Sequence, residues 1–160
     1  MNSYAKTTHS YSGRTVDMLL LKTVDRPVAS KKVSPDVSGN IMAVSGIEKL
    51  VQRFALLFLT INGSVGLSSE GTDIVGDMAN GMIYDEATLR ASAVSSADEV
   101  SRQIKEADAS EDTPDDEALD TADVIDLSID RISSTAFVTV FITTLAGTSY
   151  TYVAPVSTGV

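Results

Sequence analysis

The chain has 160 residues, 43% of them hydrophobic, with no cysteine, a single histidine and a formal net charge of −10. This is enough apolar chain for one domain with a real core, and the missing thiols exclude disulfides, thiol catalysis and cysteine-ligated zinc. The acidity is uneven: residues 1–53 hold eight basic and four acidic side chains, residues 54–160 four and eighteen. A net acidic chain without a dense basic stripe is a poor partner for nucleic acid. No apolar run approaches the ~18 residues of a membrane span, and the first residues lack the apolar stretch of a secretion signal.

In chain order, residues 1–13 are polar and read as a loose arm, with His9 unsuited there to act as ligand or general base. Arg14 to Val24 is rich in β-favouring residues and predicts a strand with Val16, Met18 and Leu20 on one face. Arg26-Pro27 ends it, because proline donates no ladder hydrogen bond. Val28 to Val33 and Ile41 to Val44 are expected as further short extended pieces, separated by the turns Ser34-Pro35-Asp36 and Ser38-Gly39-Asn40.

Ser45 to Gly71 is the organising stretch. Ser45 and Glu48 match an S-x-x-E capping box. Ile47, Leu50, Val51, Phe54, Phe58 and Ile61 then recur at the spacing of one helical face, and Ala55, Leu57 and Leu59 widen it. A helix so broadly apolar needs cover on more than one side, so the other elements are expected to pack on it. Asn62-Gly63 is the stop signal. Ser64 to Gly81 carries Gly66, Gly71, Gly76 and Gly81 and no sustained periodicity, so no helix is expected there. Asp85 is the cap of a second helix, Glu86 to about Ala107, with Leu89, Ala93, Ala97, Val100, Ile104 and Ala107 as its apolar face.

Residues 106–123 carry nine carboxylates and no basic residue, which predicts a loop or partly disordered insert. The glycine and spacing of a calcium loop are missing, and Asp120, Asp123 and Asp126 read as a solvated face. The rest is β: Val124 to Ile132, with Val124, Asp126, Ser128 and Asp130 alternating against Ile125, Leu127, Ile129 and Arg131; Thr135 to Thr144; and Ser149 to Val156 after a turn at Ala146-Gly147-Thr148. The expected fold class is α+β: short N-terminal strands, two helices and a C-terminal antiparallel three-stranded sheet. Residues 1–35 form an N-terminal extension and residues 36–160 the main domain.

Catalytic patterns are sparse. There is no Gly-x-Ser-x-Gly elbow. Gly66 and Gly71 have Walker A spacing, but Thr72-Asp73 follows where Lys-Ser/Thr is required. Glu48 and Glu70 flank the central helix as the one conceivable acid–base pair, and Glu48 is better explained as a capping partner. No enzyme, metal or cofactor is expected.

Asp36 to Phe54, with Leu57-Phe-Leu-Thr60, Asn62-Gly-Ser64 and Glu70-Gly-Thr-Asp73, resembles the gene 25-like sheath-initiator family of contractile phage tails, over roughly residues 36–156. Gln52, Thr60, Gly63, Ser64 and Gly71 fall on the family pattern. Many members carry a Glu-Pro-Arg before the C-terminal strands. Here Asp112-Thr-Pro-Asp-Asp-Glu117 stands in that place, with no arginine after the proline.

The resemblance implies a handshake-like C-terminal sheet that lends an edge to extended arms of the first sheath ring. The template would be Phe137 to Thr144, through Phe137, Val138, Val140 and Ile142, or Tyr150 to Val156, through Tyr150, Tyr152 and Val153. It implies docking on baseplate wedge proteins through Gln52, Arg53, Thr60, Gly63, Ser64 and Gly71, a further contact with the tail tube, and six copies around a virion baseplate assembled in the host bacterial cytoplasm. An adaptor or completion protein that binds the tube is the alternative; a lysozyme-like enzyme using Glu48 and Glu70 is a more distant one.

Overall fold

A computed structural model of the chain describes residues 17–18, 21–25, 31–35, 43–64, 69–130 and 132–157. The elements in order are β1 (Asp17–Met18), β2 (Leu21–Asp25), β3 (Lys31–Pro35), β4 (Ala43–Val44), α1 (Ile47–Leu59), α2 (Ile74–Ala79), α3 (Glu86–Asp108), β5 (Leu119–Asp130), β6 (Thr135–Thr144) and β7 (Ser149–Ser157). The architecture is α+β, as expected. The strands β5, β6 and β7 form the antiparallel meander. The hairpin β2–β3 extends the sheet beyond β7, giving the order β2-β3-β7-β6-β5, while β1 and β4 pair separately. His9 and the other residues of 1–16 lie outside the described residues.

The helices cover one face of the sheet: α1 packs against β7, α3 and α2, and α3 against β5. On β6 the core side is Ala136, Val138, Val140, Ile142 and Thr144, all buried, alternating with half-buried residues that face outward. Phe54, Phe58 and Tyr152 are fully buried, with Phe54 stacked on Phe58 and edge-on to Tyr152 at centroid separations of 6.0 and 5.9 Å. Burying each ring contributes roughly 1.5–3 kcal/mol, and the Phe54–Tyr152 contact joins α1 to β7 within the core that Leu50, Val51 and Ala55 complete. Ile61, expected on the apolar face of α1, lies beyond its end and is exposed.

Four expectations are corrected. First, there are three helices: α2 lies in the glycine-punctuated stretch and buries Ile74 and Met78. Its six residues are too few to establish a period, and burial of an i, i+4 pair against α1 and β7 stabilises it instead.

Second, the Ser45–Glu48 box does not form. Gly46 is the N-cap, at φ 63° and ψ −145° where only glycine is relaxed, and α1 has no side-chain cap of its own. The shift leaves Ser45 one residue ahead of the capping position, so its hydroxyl is not the acceptor for the first-turn amides. The Glu117 carboxylate takes over, accepting from the N–H of Gly46 at 3.1 Å. By contrast, Asp85 caps α3 as expected, in a reciprocal box with Thr88.

Third, the acidic stretch is built in. Its first residues complete α3, its last ones open β5, and the turn between buries Pro114, Asp116, Glu117 and Ala118. Pro114 O accepts from the N–H groups of Glu117 and Ala118. Asp115 O and Ala118 O accept from Ala146 and Leu145 in the β6–β7 turn. Such a closed set of main-chain bonds is what a merely solvated loop lacks.

Fourth, β5 does not alternate simply. Register shifts between Leu119 and Thr121 and between Val124 and Asp126 leave Asp120 and Ile125 as extra residues. Each bulge restores the phase. Ala122, Val124, Leu127 and Ile129 thereby share the core side with the inward residues of β6, and Ile125 is left 53% exposed.

Candidate functional site

Two features lie outside this core: the rim of the sheet beside β5, and the helical face around α1. Within the sheet, β6 has β5 on one side and β7 on the other, and β7 lies between β6 and β3. Neither strand expected to serve as template is an edge among the described residues. Val138, Val140, Ile142 and Tyr152 are fully buried; Val153 is buried and sits opposite Lys32 of β3; Phe137 and Tyr150 are half-buried. The order of the meander already excludes β6, because the middle strand of three has neighbours on both sides, whereas β7 is kept from the rim only by its pairing with β3. Among the described residues the sheet ends at β2 on one side and at β5 on the other, and β5 is the rim of the C-terminal meander. An edge of this kind presents unpaired main-chain donors and acceptors.

The residues expected to dock elsewhere separate into two groups. Thr60 and Gly71 meet at the stem of the loop after α1. Thr72 N donates to Thr60 O at 2.8 Å, Asn62 N to Thr72 O at 3.0 Å, and Thr72 Oγ1 to Phe58 O at 2.8 Å, which satisfies the last carbonyls of the helix. A Cβ on Gly71 would lie 2.5 Å from Thr60 O, and its φ is 111°. Gln103 of α3 grips the same residue on both sides, accepting from Gly71 N at 3.1 Å and donating to Gly71 O at 3.0 Å. Gly63 and Ser64 are exposed on the loop that this stem holds. Gln103 was not legible in the sequence, since a glutamine on a helix flank carries no motif.

Gln52 and Arg53 instead line a groove of about 290 Å³ with Leu56, Glu70, Gln103 and Asp17. Gln52 is buried, and Arg53 is held by Asp108 at 2.6 Å. Beside it Lys49 pairs with Glu117 at 2.8 Å. Both cations of α1 are thus committed to the α3 terminus and the turn behind it. A second, polar groove of about 650 Å³ runs between α2 and α3, where Ser92 donates to Asp77 at 3.2 Å.

Neither groove assembles an acid–base pair from Glu48 and Glu70. Glu70 lines the α1 groove, whereas Glu48 is exposed in the first turn of α1 and does not line it. Among the described residues no group of three or more acidic or histidine side chains is arranged to hold a metal ion. No helix among them is long and apolar enough to cross a membrane. Comparison of the chain with protein-family profiles, with curated proteins and with solved structures finds no match.

Proposed function

We propose that this protein is a structural baseplate component of a contractile tail. In this reading it starts sheath polymerisation by lending the free side of β5 to an extended arm of the first sheath ring. The observation that carries the reading is the position of β5: a twelve-residue strand backed by α3, with no strand on its far side among the described residues. Main-chain hydrogen bonds along such an edge give strand addition its affinity. The family resemblance of residues 36–156 supplies the context, and the stem of the α1 loop, held by Gln103, offers a surface for the wedge. Tube contact and six-fold placement follow from that context.

The test is assembly on baseplates purified without this protein, with and without the protein added back. No sheath without it, and sheath restored on addition, is expected. Sheath of normal length on the depleted baseplates would refute the proposal, and tube binding without sheath binding would favour an adaptor.

A further inference from the structure

We propose that the free side of β5 selects an extended partner segment with Lys or Arg at alternate positions, and that it rejects a second copy of this chain. The inference rests on the strand-addition reading above and names the chemistry of the added strand.

Asp120, Asp123 and Asp126 are all exposed. Asp123 and Asp126 stand opposite Phe141 and Thr139, on the outward side of the sheet, and Asp120 is the extra residue of the first bulge. No lysine or arginine occurs in β5. Asp130, at the far end, is committed to the hairpin turn, where it accepts from Ile132 N at 3.0 Å and from Ser133 Oγ at 2.8 Å.

An added strand sets its side chains directly opposite those of its neighbour, at a distance where opposite charges attract and like charges repel. Two copies joined along β5 would bring aspartates together with no cation of that strand to offset them. A strand with basic residues on its outward side is attracted at each of these positions. The extra residue at Ile125 interrupts the ladder, so the partner is read in two short runs, along residues 121–124 and 126–129. The charges and bulges that protect an edge from indiscriminate pairing here also define what it accepts.

The experiment uses the full chain and three dye-labelled peptides of roughly ten residues, the length of one strand. One alternates Lys and Thr, one alternates Glu and Thr, and one is the Lys peptide with two central prolines, equal in charge but unable to extend a ladder. Fluorescence anisotropy is expected to show the Lys–Thr peptide binding at least about tenfold more tightly than the other two, with affinity falling as salt rises. The D123N/D126N double variant should lose about tenfold, and E111Q/D112N, which neutralises exposed carboxylates outside β5, should bind as the native chain does.

Equal binding of the proline peptide, or unchanged binding by D123N/D126N with native circular dichroism, would overturn the inference. So would a dimer in sedimentation that is lost when β5 is substituted. Sheath protein that binds D123N/D126N as tightly as the native chain would overturn the charge rule and leave sheath initiation standing. Selective Lys–Thr binding with no sheath binding would do the reverse.

Discussion

The carboxylate of Glu117 accepts a hydrogen bond from the main-chain N–H of Gly46, 71 residues earlier in the chain, at 3.1 Å. Its other oxygen holds the ammonium of Lys49 at 2.8 Å. A turn in the acidic stretch therefore caps the central helix. It does so with negative charge, which the positive end of the helix dipole favours. The Arg53–Asp108 pair, one turn further along α1, ties the same helix to the end of α3.

Replacing Glu117 with Ala removes a cap and a charge-assisted bond, and is expected to cost about 2 kcal/mol or more. Glu117→Gln keeps an acceptor for Gly46 and should cost less. Urea denaturation of the three proteins checks the ranking; equal midpoints for the native and Ala chains would show that the turn does not hold α1.

The two bulges of β5 make neighbouring apolar residues unequal. Leu127 is 7% exposed and Ile125 53%. Leu127→Ala should destabilise the fold by roughly 2–5 kcal/mol, whereas Ile125→Ala should stay within about 0.5 kcal/mol. Comparable losses at both positions would mean that β5 alternates without the bulge.

Gly71 and Gly76 are predicted to respond in opposite directions to alanine. At Gly71 the new Cβ meets Thr60 O at 2.5 Å in a backbone region that disfavours side chains, so Gly71→Ala should cost at least about 2 kcal/mol. At Gly76, within α2, nothing lies within 4 Å, and alanine should stabilise by roughly 0.5–1 kcal/mol. Thermal melts of both variants decide the matter.

The hydroxyl of Tyr152 is fully buried with no hydrogen-bond partner, and burial pushes its pKa well above the ordinary value. Tyr152→Phe should therefore stabilise the protein by on the order of 1 kcal/mol. Above pH ~10 the unfolded tyrosine ionises and the buried one does not. The unfolded chain then binds fewer protons, so native stability falls as pH rises beyond that point. The Phe variant should lack this part of the alkaline decline, which denaturation at a series of high pH values would reveal.

At the acid end the sign is the opposite. Hydrogen bonds from Thr88, Arg102 and Ser133 hold the carboxyls of Asp85, Glu99 and Asp130 below their ordinary values. Each adds stability above its unfolded pKa, near 4, and loses it as pH falls through the lower folded value. Asp85→Asn, which keeps an acceptor at the cap but removes the titration, should flatten that limb of the stability curve.

Local sequence alone determined α1 and α3, the Asp85 cap, β6 and β7, and the existence of β5 though not its start or its facing, because each depends on residues within a few positions of one another. Thr135 to Thr144 is β-branched or aromatic at every position except Ala136 and forms β6 with those bounds. Only the tertiary structure decided which strand lies at the rim, where β5 bulges, that α2 forms, and that Glu117 rather than Glu48 caps α1. Those outcomes depend on groups brought together across the chain, Glu117 with Gly46 and Gln103 with Gly71. No local pattern encodes them, since each is stabilised by burial and hydrogen bonding that exist only once the helices have packed on the sheet.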